Sequence, residues 1–248
     1  MKRISCLLLG AILAFGCNSA SEENVEPFIT EIPDNAGLVA DEDGWITLFD
    51  GKTFDGWRGF RSLELPAGWK ITQDGELHFN GNGKGDIMTA HQFASMEFEL
   101  EWKVSLGGNS GIFYWVTEDD SRTYRTGPEM QVLDNSKHKD GKNPLTSAGS
   151  NYALQAPPED VTAPVGEYNK VRIVINGDHV EHWLNGVKLL EYEAGSEAWQ
   201  ALVAKSKFNK MPNYGKNRKG HIALQDHGDP VWYRNIRVRL FEAEPASE

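Results

Sequence analysis

The sequence predicts an all-β fold, a two-sheet antiparallel sandwich of jelly-roll type with one short helix. Three observations carry that prediction. Met96-Glu-Phe-Glu-Leu-Glu-Trp-Lys-Val104 alternates apolar and charged residues without a slip, the period of a strand with one buried and one wet face. Gly-containing turn pairs recur at Asp74-Gly75, Asn176-Gly177 and Asn185-Gly186, each between two alternating arms. Only one segment, Ser196 to Lys205, has helical spacing.

In chain order, the first feature is a processing signal. Lys2 and Arg3 precede the apolar run Cys6–Phe15, which is too short to span a bilayer comfortably, and Gly16-Cys17 closes it. A small residue followed by Cys at that point resembles a bacterial lipobox. Residues 1–16 are therefore expected to be a signal peptide and Cys17 a lipidated N-terminus. Asn18 after the Cys points to the outer membrane of the cell envelope. Ala14 stands where a lipobox usually has Leu, with Leu13 one place off. The acidic, proline-punctuated stretch up to residue 44 reads as a tether, and residues 45–241 as a single domain.

Within that domain, Trp69–Phe79 reads as a hairpin turning at Asp74-Gly75. The run from Val171 to Tyr192 reads as three strands with two tight turns, and His221–Gln225 and Val231–Leu240 as closing strands. In the helical segment Ser196 is the cap, and Trp199, Leu202 and Val203 share a face. Such strand-sized units separated by Gly, Asn and Pro fit two packed sheets.

Composition excludes several functions. Both cysteines, Cys6 and Cys17, lie in or beside the signal, so the domain has no disulfide, no thiolate nucleophile and no Cys-ligated metal. The formal net charge is -11 with no dense Lys/Arg cluster, which argues against a nucleic-acid partner. Trp 8, Tyr 7 and Phe 11 suit both sheets and sugar rings.

No G-x-S-x-G, P-loop or H-E-x-x-H motif occurs. Instead, polar residues crowd into strand-like segments. Asn109-Ser110-Gly111 opens an apolar strand, and strand parity puts Glu129 and Gln131 on one face while Met130 and Val132 take the other. His138 lies in the loop that follows, and Gln225-Asp226-His227-Gly228 interrupts the closing strands. A carboxylate and an amide on one sheet face, with a His loop nearby, suit a sugar-binding surface. Each has a plainer reading. Glu129 could be solvated, Asp226-His227-Gly228 a turn in which Asp caps amides, and His138 a surface residue; Trp115, Trp183 and Trp232 read as core.

Four blocks, Trp45–Trp57, Gly108–Phe113, Gly127–Asn135 and Gly220–Gly228, resemble the 3-keto-disaccharide hydrolase family of exported bacterial proteins, and Trp232–Arg239 fits the family ending. The resemblance runs from about Trp45 to Leu240. It implies a concanavalin A-like (LamG-like) jelly roll acting on glycosides oxidised to a ketone at C3. Such a ketone acidifies the C2 hydrogen, so a base can remove it and the C1 oxygen leaves by β-elimination; water added later gives net hydrolysis. On this reading Glu129 and His227 are the base and acid in either order, and Asp226, Gln131 and Asn109 orient hydroxyls. Asp134 is a further substrate contact. Arg125 or His138 would polarise the ketone, unless a divalent cation does so; the spacing of Glu129, His138, Asp226 and His227 is not a metal signature. Two alternatives stay open: a non-catalytic carbohydrate-binding module, and a two-carboxylate glycoside hydrolase pairing Glu129 with Asp134 or Asp226.

Overall fold

The computed structural model describes residues 37–241; the expected signal peptide, Cys17 and most of the expected tether lie outside them. Thirteen strands form two antiparallel sheets. They are β1 (Trp45–Thr47), β2 (Trp57–Gly59), β3 (Trp69–Ile71), β4 (Leu77–Phe79), β5 (Ile87–Thr89), β6 (Met96–Val104), β7 (Asn109–Val116), β8 (Glu129–Leu133), β9 (Asn169–Asn176), β10 (His179–Leu184), β11 (Val187–Glu193), β12 (His221–Leu224) and β13 (Val231–Leu240). The eight-stranded sheet runs β11-β10-β9-β6-β13-β4-β3, with β1 also paired to β13. The five-stranded sheet runs β2-β5-β12-β7-β8. One core lies between them, built from Phe98, Leu100 and Trp102 of β6, Ile112 and Tyr114 of β7, Met130 and Val132 of β8, and Val231, Tyr233 and Val238 of β13.

The alternation in β6 sets its two faces, but the charged face is not wet. Glu97 and Glu99 are 4% and 8% exposed. Glu97 faces Arg239 across β13, Glu99 faces Arg237 and Glu101 faces Arg234. Arg237 Nη2 donates to Glu99 at 2.6 Å and Arg234 Nε to Glu101 at 2.8 Å, while Arg172 of β9 and Arg239 both pair with Glu97. Cross-strand opposite charges, layered by long Arg stems, cover carboxylates that alternation alone would leave in water.

The expected turns form. In the β10–β11 turn Asn185 and Gly186 take φ of 51° and 84°, the pair of left-handed residues that such a hairpin requires. The helix α1 (Glu197–Lys205) is capped by Ser196, whose side chain accepts from Trp199 N at 3.1 Å. Its buried face is narrower than the spacing suggests: Trp199 is buried and Val203 partly so, but Leu202 is 36% exposed. Trp115 is core, as expected, and sits at φ 56° in a β7 bulge opposite β12. Trp183 and Trp232 are not. Both are half-buried on the outer face of the large sheet, where Arg172 lies over Trp183 and His78 stacks on Trp232 at 4.5 Å. The end of the expected tether is also part of the domain, since Leu38 packs on the core and Ala40 bridges to Ile46.

Candidate active site

The small sheet turns one face to the core and the other outward, and β8 supplies both. Met130 and Val132 enter the core, so Glu129 and Gln131 must point the other way. That outer face is roofed by neighbouring segments. Residues 147–155 run along the edge of β8, where Tyr152 N donates to Glu129 O at 3.0 Å and Gln131 N to Ser150 O at 3.2 Å. Beyond α1, Phe208 is buried against Tyr214 with ring centroids 3.9 Å apart, and this anchor holds Lys207 beside it.

Between sheet and roof lies a cavity of about 270 Å³ lined by Asn109, Tyr124, Glu129, Gln131, Tyr152, Lys207, Gln225 and His227. Four of these are residues that the sequence singles out: Asn109, Glu129, Gln131 and His227. The closing loop reaches the site because Ser110 Oγ donates to Gln225 O at 2.7 Å and Gln225 N to Gly111 O at 3.0 Å. Strands about a hundred residues apart thus meet on one face.

Glu129 is 5% exposed, which rules out the solvated-face alternative. Among the described residues no side chain hydrogen-bonds its carboxylate. Its room comes from Gly111 on the adjacent β7: a Cβ there would lie 2.2 Å from Glu129 Oε1 and 2.9 Å from its carboxyl carbon. Burial pushes the Glu129 pKa up to about 8; the Lys207 charge opposes that rise, while Asp86 and Asp140 add to it. Lys207 is affected in the opposite sense, its pKa lowered by burial although Glu129 and Asp140 favour its charge. Its ammonium lies 4.2 Å from the Tyr152 ring centroid and 5.7 Å from that of Tyr124, an aromatic seat that holds it over the cavity.

The amides are poised to receive hydroxyl groups. Gln131 Nε2 donates to Thr146 O at 3.2 Å, leaving its Oε1 without a partner, and Asn109 Oδ1 and Gln225 Oε1 are likewise buried and unpaired. Three carbonyl oxygens of one small cavity await donors, and a sugar supplies donors in that density. His227 stands at the mouth, its pKa drawn below the ordinary value by partial burial and by neighbouring His138.

The remaining expected site residues fall outside the lining. Asp226 accepts from Gly85 N and Gly228 N, each at 2.9 Å, so its carboxylate braces the loop that carries His227. Asp134 accepts from Gly107 N at 2.8 Å, from Ser136 N and Oγ at 2.9 and 2.7 Å and from Lys137 N. Burial opposes its ionisation, but these donors outweigh it and hold its pKa below the usual value. Arg125 pairs with Asp120 rather than facing the cavity. His138 lies one step behind the lining, with its Nε2 3.5 Å from Asn109 Nδ2. Tyr124, Tyr152, Lys207 and Gln225 are the lining residues that sequence reasoning missed. Gln225 belongs to the polar interruption already noted, whereas Lys207 follows a helix with no pattern that marks it.

The domain has recognisable relatives. The model of the 3-keto-alpha-glucoside-1,2-lyase-like domain matches residues 44–239. A Bacteroides thetaiotaomicron protein named 3-keto-disaccharide hydrolase is 41% identical over 241 residues, which cover 84% of this chain and 82% of that protein. A Parabacteroides distasonis crystal structure, described as a candidate glycosyl hydrolase, superposes with a TM-score of 0.76 at 32% identity, over 83% of this chain and 99% of the other. A second structure from that organism, similarly described, gives 0.60 at 26% identity over 79% and 99%.

Proposed function

This chain belongs to the 3-keto-alpha-glucoside-1,2-lyase-like domain family, and from that premise we propose that it cleaves glycosidic bonds of sugars carrying a ketone at C3, with Glu129 as the base that removes the C2 hydrogen. One observation supports this above the others: Glu129 is the single carboxylate in the cavity lining. A two-carboxylate hydrolase needs a second acid across the scissile bond. Its nominated partners, Asp134 and Asp226, are both committed to backbone amides. Elimination from a 3-ketone needs only one base.

In this scheme the Glu129 carboxylate takes the C2 proton, and the C–H electron pair delocalises onto the C3 oxygen as an enolate. Collapse of the enolate forms the C1=C2 double bond and breaks C1–O. The leaving oxygen takes that proton back from Glu129. Water then adds hydroxyl at C1 and hydrogen at C2, so that the sum is hydrolysis. A carboxylate with a pKa near 8 is a far stronger base than an ordinary one, which suits a carbon acid. Lys207 supplies positive charge over the cavity in which the enolate develops. The unpaired oxygens of Gln131 and Gln225 accept from substrate hydroxyls.

The test offers the purified domain a 3-keto-glucoside and its unoxidised parent. Turnover of the ketone alone is expected; equal turnover of the parent would overturn the reading, and turnover of neither would favour a binding module. The residues ahead of the domain support a further proposal, that the chain is exported and held at the outer membrane by lipid on Cys17.

A further inference from the structure

At the cavity mouth, three groups with metal-ligating atoms converge. The Nε2 atoms of His138 and His227 stand 3.5 and 3.4 Å from the same Asn109 amide nitrogen, and the two rings lie edge to face at 5.9 Å. One ligating atom from each ring and a carboxylate oxygen of Asp229 all lie within 4.8 Å of one another. Asn109 is 2% exposed, and its Oδ1 has no hydrogen-bond partner. A half-turn of that amide, which exchanges two atoms of nearly equal size, aims the unpaired oxygen at both imidazoles.

We propose that His138, His227 and Asp229 bind one first-row divalent cation, with the Asn109 amide oxygen as a fourth donor. Two neutral imidazoles, one carboxylate and one carbonyl form a nitrogen and oxygen set of intermediate softness. It fits cobalt, zinc or manganese better than calcium or magnesium, which favour all-oxygen shells. Asp140 completes the arrangement. Its Oδ2 lies 3.9 Å from His138 Nδ1, where a carboxylate can receive the ring hydrogen and fix the tautomer that leaves Nε2 for a metal. The Asp140 amide, which now donates to Nδ1 at 3.1 Å, must yield to that carboxylate as the site loads. A second group of candidate ligands, His179, Glu181 and Glu191, already has its cation: Lys188 Nζ lies 2.6 Å from Glu191 and 3.4 Å from Glu181.

The cation's role rests on the proposed reaction. Asn109 and His227 belong both to this cluster and to the cavity that holds Glu129. A metal there would draw electron density from the C3 ketone and offset the enolate charge.

The experiment titrates chelator-stripped protein with Co²⁺ alone, read by calorimetry and visible absorption and without any sugar. One equivalent should bind. His138→Ala and Asp229→Asn should each weaken binding about ten-fold or more, with unchanged far-ultraviolet circular dichroism, and His179→Ala should leave it intact. No binding by the parent protein would overturn the site, as would binding that survives both substitutions or that is lost in His179→Ala. Turnover of a 3-keto-glucoside is measured separately. Binding without turnover would retain the site and remove the proposed reaction, whereas turnover without binding would do the reverse.

Discussion

Around Glu129 the main forces are burial, which favours the neutral acid, and the Lys207 charge, which favours the anion. The balance gives two expectations at this scale. Glu129→Gln keeps the shape of the side chain and should lower turnover of a 3-keto substrate by about two orders of magnitude or more. Its effect on stability depends on pH. The folded-state pKa is raised above the ordinary 4.5, so the stabilisation from binding that proton is complete below about 4.5 and is lost as pH rises to about 8. Glu129→Gln cannot ionise, so urea unfolding should find it level with the parent near pH 4 and more stable than the parent at pH 8. A variant less stable than the parent at pH 8 would show that the carboxylate has a donor that the structure does not reveal. In kinetics, kcat/KM should climb with pH to a limb near 8. Lys207→Met should move that limb upward, because the opposing charge is gone, and Lys207→Arg should restore it. A limb that does not respond to Lys207→Met would mean that another group sets it.

At the scale of elements, the fit between β7 and β8 matters most. Gly111 leaves the space that the Glu129 carboxyl fills, so Gly111→Ala should push that carboxyl out of place. Activity should fall at least ten-fold while the melting temperature moves little, since the obstacle meets the far end of one side chain. An active Gly111→Ala protein would show that the carboxylate position is not critical. For α1, Ser196→Ala removes the cap on Trp199 N and should cost about 1 kcal/mol of stability, read as a lower urea midpoint. Strict alternation and turn chemistry made β6, the β9–β11 hairpins and β13 legible in the sequence, because both are local properties. The Glu129/Gln131 face was legible for the same reason. That Glu97 and Glu99 are covered was not, because it depends on arginines from β9 and β13 that meet β6 only after folding. Nor was the spending of Asp134 and Asp226 on amides, or the arrival of Lys207 over the site, since each is decided by tertiary contacts.

For the molecule as a whole, the two sheets have separate duties. Both sheets close on the one core; the large sheet turns a face of ion pairs outward, and the small sheet carries the cavity on the side away from that core. Membrane attachment, if it follows the Gly16-Cys17 signal, leaves this cavity untouched, because the lipid would sit about twenty residues ahead of residue 37, the first described. Cys17→Ser should therefore release the protein from membrane fractions with its specific activity intact; full retention on membranes would contradict the anchor. The central claim is that one base removes the C2 hydrogen. Its most direct test is turnover of a 3-keto-glucoside in deuterium oxide, with the released sugar read by mass spectrometry and proton magnetic resonance against an enzyme-free control for spontaneous exchange. Deuterium at C2 of the product well above that control is the predicted result. A product that keeps its C2 hydrogen would mean that the bond is cut by direct displacement, and Glu129 would lose the role assigned to it.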